Sequence, residues 1–174
     1  LADGSYRMRV RSADRAGNMG VSEVATLVID TTPPELVLAG PLDGFLGVRG
    51  QERSFRLTTT DASTSDPEAL FHYAVFWGDD SSPELITGGA SLTVAHTYAA
   101  NGTYTMSAVV QDPAGNLSNL YVPSPTVEVT IVSVELQGDT LRVAGTEGND
   151  TLNVSAGEAS GEVTLLLNGE SLGT

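Results

Sequence analysis

Apolar and polar residues alternate along most of the chain. Tyr6, Met8 and Val10 alternate with polar residues near the start, and the same pattern continues to the end of the sequence. Later examples are Val127, Val129 and Ile131; Leu141 and Val143; Leu152 and Val154; and Val163, Leu165 and Leu167. A period of two residues, with Gly, Asp, Asn or Pro between the runs, is typical of half-buried antiparallel strands. The pattern therefore predicts an all-β protein.

One stretch of fifteen residues occurs twice. Residues 4–18 are GSYRMRVRSADRAGN and residues 102–116 are GTYTMSAVVQDPAGN, and seven of the fifteen positions are identical. The offset between them is 102 − 4 = 98 residues. An immunoglobulin-like sandwich has about 100 residues. Repetition at this period predicts tandem β-sandwich modules rather than one continuous core.

Each copy has a Tyr at the head of a strand and a Met two residues later. Tyr6 and Tyr104 follow a Gly, which is similar to the tyrosine corner of immunoglobulin-like sandwiches. Met8 and Met106 take the place of the Cys that crosses between the sheets in such domains, and a thioether can fill that gap. The AspXaaAlaGlyAsn that ends each copy is predicted to be the turn before the closing strand.

The repeat predicts where the modules begin and end. The first copy supplies only two closing strands, so the first and last modules are expected to be incomplete and the chain is expected to be an excerpt of a longer protein. A lone hairpin is barely stable in water. Pro33 and Pro34, in the segment DTTPPELVL, predict a short, stiff linker. The expected parts are the end of one module over 1–34, a complete sandwich over 35–132, and the start of a further β domain over 133–174.

Two known families resemble parts of the chain. The segment DGSYRMRVRSADRAGNMGVSEVATLVIDTTPP resembles the end of a bacterial Ig-like repeat. Residues 35–132 resemble a PKD domain, through VFWGDDSSPE at 75–84 and HTYAANGTYTMSAVVQD at 96–112. The family signature ends in GlyAspGly, whereas this chain has Gly78, Asp79 and Asp80, so a looser turn after Trp77 is expected.

The last 42 residues allow two interpretations. VAGTEGNDTLNV resembles a single copy of the calcium-binding RTX nonapeptide, with Gly145, Gly148, Asp150 and Leu152 in matching positions and Thr146 in place of a Gly. Alternatively, GDTLRV at 138–143 and NDTLNV at 149–154 are consecutive strands of a meander. In that interpretation Gly138 and Asp139 form a two-residue hairpin turn.

The charge of the protein is strongly negative and unevenly distributed. The net charge is −14, and all of the excess lies after residue 56, where fifteen acids face Arg142 alone. Such a surface repels phosphate backbones and anionic lipids but attracts divalent cations. No apolar run approaches the roughly 20 residues that span a bilayer. Nucleic acid and membrane insertion are therefore not expected, and the absence of Cys leaves no thiol chemistry.

No catalytic constellation is predicted. The two histidines, His72 and His96, lie in strand patterns, and the resemblance implies a structural hydrogen-bonding role for His96. Asp79, Asp80 and Glu84 lie in a turn that the PKD family uses architecturally. The single Trp, Trp77, follows an apolar run and is expected in the core.

Calcium is the one ligand that the sequence suggests. It binds six to eight oxygens from carboxylates, Asn and backbone carbonyls, which AspXaaAlaGlyAsn loops and the DTT linker offer. The resemblance to adhesin-type arrays implies calcium at module junctions, with Asp14 and Asp30 at the same end of the first module and Asp112 at the corresponding end of the second. Asp150 is the RTX-like candidate. Alternatively, these Asp side chains only cap turns.

The predicted function is that of a non-catalytic extracellular or cell-surface spacer in a large multidomain protein, with neighbouring β-modules as its partners. The alternative is an accessory module of a secreted hydrolase that binds polysaccharide or protein. That alternative needs exposed aromatic side chains, for which Phe45, Tyr73 and Tyr121 are the candidates.

Overall fold

A computed structural model describes residues 1–42, 44–62, 69–118, 124–146 and 148–173. All regular secondary structure in these ranges is β-strand. The predicted all-β fold class is therefore confirmed. No helix in the described part of the chain could cross a lipid bilayer.

The first segment consists of two strand pairs. β1 (Gly4–Met8) pairs antiparallel with β4 (Ala25–Ile29), and β2 (Arg11–Ala13) forms a hairpin with β3 (Met19–Val21). The Tyr6 hydroxyl donates to the Ala2 carbonyl over 2.7 Å. Nearly all side chains of this segment are exposed, because no second sheet covers them in the described part of the chain.

The next eight strands form a two-layer sandwich. They are β5 (Glu35–Ala39), β6 (Leu46–Val48), β7 (Glu52–Thr60), β8 (Phe71–Phe76), β9 (Glu84–Gly88), β10 (Ser91–Thr97), β11 (Gly102–Gln111) and β12 (Thr126–Val132). One sheet has the order β10-β7-β5 and the other has the order β6-β12-β11-β8-β9. All neighbouring strands are antiparallel except β6 and β12.

The core lies between these two sheets, and strand alternation decides which residues enter it. Along β7, Phe55 and Leu57 are buried while Arg56 is exposed; along β11, Met106, Ala108 and Val110 are fully buried. The cluster also contains Leu36, Phe71, Tyr73, Val75, Trp77, Val94, Tyr98, Val129 and Ile131. Burial of these side chains is the main favourable contribution to the stability of the sandwich.

The two fifteen-residue copies have the same local structure. Gly4 pairs with Ile29, and the equivalent Gly102 pairs with Ile131. The Tyr104 hydroxyl donates to the Ala100 carbonyl over 2.9 Å, as Tyr6 does to Ala2. The predicted repeat of a tyrosine corner is therefore found in the structure.

The two copies differ in what covers their apolar face. Met106 is 0% exposed beneath the β5-β7-β10 sheet, as expected for a residue that fills the gap between sheets. Met8 is 49% exposed. The prediction that Met8 fills such a gap is wrong for this chain, because no described strand lies over that face of β1.

The end of the chain forms two small sheets. β13 (Val134–Gln137) and β14 (Thr140–Val143) form a hairpin, and β15 (Leu152–Ala156), β16 (Val163–Leu167) and β17 (Glu170–Gly173) form a meander. Gly138 and Asp139 form the predicted two-residue turn, with φ +60° at Gly138. The two similar hexads are not neighbouring strands, however, because β14 pairs with β13 and β15 pairs with β16.

We expect the repeat-equivalent substitutions Met106→Ala and Met8→Ala to differ strongly in effect. Met106→Ala leaves a cavity in a closed core and should cost about 2–5 kcal/mol. Met8→Ala removes an already exposed side chain and should cost less than about 0.5 kcal/mol. Urea unfolding followed by the fluorescence of Trp77, the only Trp in the protein, measures both. Equal losses in the two variants would contradict the assignment of the core.

Candidate functional site

The linker between the first segment and the sandwich is held by side chains. It comprises residues 30–34, between the end of β4 and the start of β5. The Asp3 carboxylate accepts hydrogen bonds from the Thr31 amide over 3.0 Å, from the Thr31 hydroxyl over 2.7 Å and from the Thr32 hydroxyl over 2.5 Å. The Thr32 hydroxyl and then the Thr31 hydroxyl lower the pKa of Asp3. The linker thus has a defined path.

A loop of the sandwich contacts the linker from the other side. In the turn that follows β11, Asp112 accepts from the Asn116 backbone amide and side-chain amide, each over 2.8 Å. The Asn116 amide also donates to the Asp30 carbonyl over 3.2 Å and lies 3.4 Å from the Asp30 carboxylate. Asn116 therefore joins Asp112 to Asp30, and it connects the sandwich to the end of the first segment.

Three carboxylates meet at this junction. Single oxygens of Asp30, Asp61 and Asp112 all lie within 4.8 Å of one another, and Asp112 is only 1% exposed. Calcium binds oxygens at 2.3–2.6 Å, so two oxygens on one ion are at most about 5 Å apart. The donors are the hard oxygens that calcium prefers, and a cation would relieve the repulsion between like charges. The residues present therefore fit a calcium ion.

Asp61 of this cluster also lines an open groove of about 350 Å³. The groove is lined by Thr32, Pro33, Glu35, Thr60, Asp61 and Ala62. Asp61 is therefore accessible to solvent from this groove.

Of the four metal candidates suggested by the sequence, Asp30 and Asp112 are brought together and Asp14 is not. Asp14 accepts from the Ala16 and Asn18 amides over 2.9 Å in its own turn, and the Asn18 side chain lowers the pKa of Asp14. The expectation that Asp14 and Asp30 lie at the same end of the first segment is wrong. The antiparallel register places Asp30 beside the start of β1, whereas Asp14 lies beyond the other end of that strand.

Asp150 forms a separate local arrangement. Its carboxylate accepts from the Thr146 amide over 2.8 Å, from the Thr146 hydroxyl over 2.7 Å and from the Asn168 side chain over 2.8 Å. The Thr146 hydroxyl and then Asn168 lower the pKa of Asp150. The Thr146 contacts close a local turn, and the Asn168 contact joins that turn to the one between β16 and β17. No other acid joins Asp150 in a cluster within the described residues.

Sequence reasoning missed Asp61, Asn116 and Asp3. Asp61 follows β7, whose last residue, Thr60, pairs with Glu35 at the end of the linker. That pairing joins strands far apart in sequence, so the sequence alone gave no sign of it. A clue to Asn116 did exist, since it is the last identical residue of the repeat.

Three of the residues considered for catalysis, Asp79, Glu84 and His96, form a packed structural cluster with Trp77. The His96 ring stacks on Trp77 at 4.5 Å between ring centroids, and its Nε2 lies 2.7 Å from a carboxylate oxygen of Asp79. The Trp77 indole donates to Glu84 over 3.2 Å, and the Tyr98 hydroxyl donates to the Trp77 carbonyl. These contacts support the structural role that was predicted for His96.

Gly78 is required where this cluster meets β11. Its φ is +82°, and a Cβ there would lie 2.6 Å from the Thr105 carbonyl oxygen. The following Asp80 also has a positive φ, of 63°. The turn after Trp77 therefore packs closely against β11, whereas the departure from GlyAspGly suggested a looser turn.

The aromatic candidates for ligand binding differ in exposure. Tyr73 is 2% exposed, and its hydroxyl lies 2.9 Å from that of Thr59, so it cannot contact a polymer. Phe45 is 64% exposed. Tyr121 lies outside the described residues. Among the described residues, Phe45 is therefore the one of these three candidates whose side chain is exposed.

Comparison with known proteins gives fold-level similarity only. No protein-family model matches the chain, and no curated protein matches its sequence at a significant level. Among solved structures, the PKD domain of an M14-like peptidase from Thermoplasmatales archaeon SCGC AB-540-F20 has 24% identity and a TM-score of 0.42. The match covers 57% of this chain and 92% of that one. Fibronectin(III)-like modules of Clostridium thermocellum CbhA have 15% identity and a TM-score of 0.43, covering 75% and 64% respectively.

We expect the contact between Asp79 and His96 to make the sandwich less stable in acid. Burial raises the pKa of Asp79, but hydrogen bonds from Ser81 and His96 outweigh burial, and the net pKa is lowered. A lowered pKa stabilises the fold above the pKa of the unfolded chain, about 3.9, and the benefit is lost as pH falls through the folded value. Asp79→Asn should therefore reduce the loss of stability between about pH 5 and pH 3.

Urea unfolding at the two pH values, followed by Trp77 fluorescence, measures this loss. Asp80→Asn is the matched control, because Asp80 is the exposed neighbour in the same turn. An acid response in Asp79→Asn as large as in the parent protein would contradict the role given to Asp79.

Proposed function

We propose that the chain is a non-catalytic spacer of a large multidomain protein outside the cell. It holds neighbouring β-modules of the same polypeptide at a defined separation and direction. The observation that carries this proposal is the junction at residues 30–34, which Asp3 contacts from the first segment and Asn116 contacts from the sandwich.

The interior of the sandwich supports the same proposal. Its inner faces are filled by close-packed apolar and aromatic side chains, and its histidines take part in structural contacts. The proposed parts are 1–34, 35–132 and 133–174, each a β unit joined to the next by a short connection. A secreted or surface location and the absence of nucleic-acid or membrane partners are part of the proposal, supported by the net charge of −14.

A stiff spacer requires that the first segment and the sandwich move together. In the full chain we expect the amides of β1 and β4 to show the same rotational correlation time as those of β11 in backbone amide NMR relaxation. A variant with a flexible Gly/Ser insertion between Pro34 and Glu35 is the control, and it should separate the two correlation times. Independent tumbling of β1 and β4 in the parent chain would refute the spacer proposal.

We further propose that calcium binds Asp30, Asp61 and Asp112 and strengthens the junction. Extracellular calcium modules have dissociation constants of about 0.1–1 mM, so about 10 mM calcium should stabilise the folded chain by about 1.4–2.7 kcal/mol. Thermal unfolding followed by Trp77 fluorescence, with calcium and with a chelator, measures the shift. Magnesium is the comparison ion, because it needs a tighter octahedral site.

Repeat-equivalent variants provide the control for the calcium experiment. Asp112→Asn should abolish the calcium-dependent shift of the unfolding midpoint, and Asp14→Asn should leave that shift intact. The two residues occupy equivalent positions in the two copies of the repeated loop. Asp61→Asn should weaken the shift as well. An unchanged midpoint in calcium, or equal shifts in the Asp112 and Asp14 variants, would eliminate the metal and leave the spacer proposal standing.

A further inference from the structure

Asp3 and Asn101 occupy equivalent positions of the repeat. In each unit, this side chain joins the start of a strand to the segment through which the polypeptide leaves that unit. Asp3 precedes Gly4, which pairs with Ile29; Asn101 precedes Gly102, which pairs with Ile131. Each side chain contacts the second residue after its paired Ile, which is Thr31 in the first unit and Ser133 in the second. A contact with a hydroxyl at the equivalent position therefore recurs with the 98-residue repeat, although Asp3 accepts the hydrogen bond from Thr31 and Asn101 donates one to Ser133.

In both units the contact lies where one part of the chain passes to the next. Asp3 contacts Thr31 and Thr32, and β5 begins at Glu35. The Asn101 side chain donates to the Ser133 hydroxyl over 2.6 Å, and β13 begins at the next residue, Val134.

These contacts are not local turn caps. A capping Asp or Asn bonds backbone groups two or three residues away. The Asp3 contacts span 28 and 29 residues, and the Asn101 contact spans 32 residues. They therefore fix the path of the outgoing chain relative to the strand that begins the repeat.

Each connection is also contacted by residues that follow it in the chain. Asn116 of the sandwich donates to the Asp30 carbonyl at the first connection. At the second, the Ser133 carbonyl accepts from the Ala144 amide over 2.7 Å. Beyond β14, the Arg49 guanidinium of the sandwich also donates to the Gly145 carbonyl over 3.1 Å. A connection that is contacted both by the unit before it and by the part of the chain after it has few backbone conformations left.

We propose that Asp3 and Asn101 are positioning residues that set the angle at which the polypeptide leaves each β unit. The inference rests on the spacer function proposed above. It assigns control of the angle between consecutive β units to one position of the repeat, which Asp3 and Asn101 occupy. Fixing the backbone of one residue costs about 1–2 kcal/mol in entropy, and these hydrogen bonds offset part of that cost. Pro33 and Pro34 restrict the linker further.

Pulsed electron paramagnetic resonance on the full chain tests the first connection. The protein has no Cys, so cysteines introduced at the exposed Thr26 of β4 and Thr93 of β10 carry the only spin labels. We expect Asp3→Ala to broaden the distance distribution about twofold, because the linker gains backbone freedom. Asp3→Asn should keep the distribution narrow, since an amide in the equivalent position already bonds a hydroxyl at Ser133.

Asp14→Ala is the matched control, because it removes a hydrogen-bonded carboxylate from the same segment at the end away from the linker. A narrow distribution in Asp3→Ala would overturn the inference, and so would equal broadening in Asp14→Ala, which would indicate loss of the hairpin itself. A distance distribution that is already broad in the parent chain would instead reject the spacer function on which the inference rests.

Discussion

The sandwich depends on the burial of one face of β11. Met106, Ala108 and Val110 are fully buried, and they lie on the face that meets Phe55 and Leu57 from the opposite sheet. β11 also pairs with both β8 and β12, so it aligns the strands around it. Because side chains alternate across a strand, Thr103, Thr105, Ser107, Val109 and Gln111 lie on the opposite face, which is mainly polar and is exposed or half-buried.

The repeat of this strand shows how much of its structure is local. β1 reproduces the pairing and the Tyr hydrogen bond of β11 although its apolar face is exposed. Turn geometry and strand pairing thus follow from the local sequence, whereas burial depends on a second sheet. The same comparison separates Asp112 from Asp14. Each carboxylate accepts from the backbone and side-chain amides of the Asn four residues later, but only Asp112 has Asp30 and Asp61 beside it.

The junction combines two kinds of interaction. Hydrogen bonds from Asp3 and Asn116 define the path of the linker, and three carboxylates concentrate negative charge beside it. In the proposed spacer, these hydrogen bonds would oppose bending of the linker directly. The carboxylates repel one another, and a cation that bound them would connect the linker, the end of β7 and the loop after β11.

The all-β class, the repeat and the short linker could be predicted from the sequence, as could the choice of Asp30 and Asp112 as candidate ligands, because alternation, repeated residues and turn chemistry are local features. Three outcomes could be seen only in the fold: Asp61 joins Asp30 and Asp112, Asp14 lies at the far end of its segment, and the two hexads belong to different sheets. Those outcomes depend on which distant strands pair and in which direction. A period of two specifies the faces of a strand but not its neighbours.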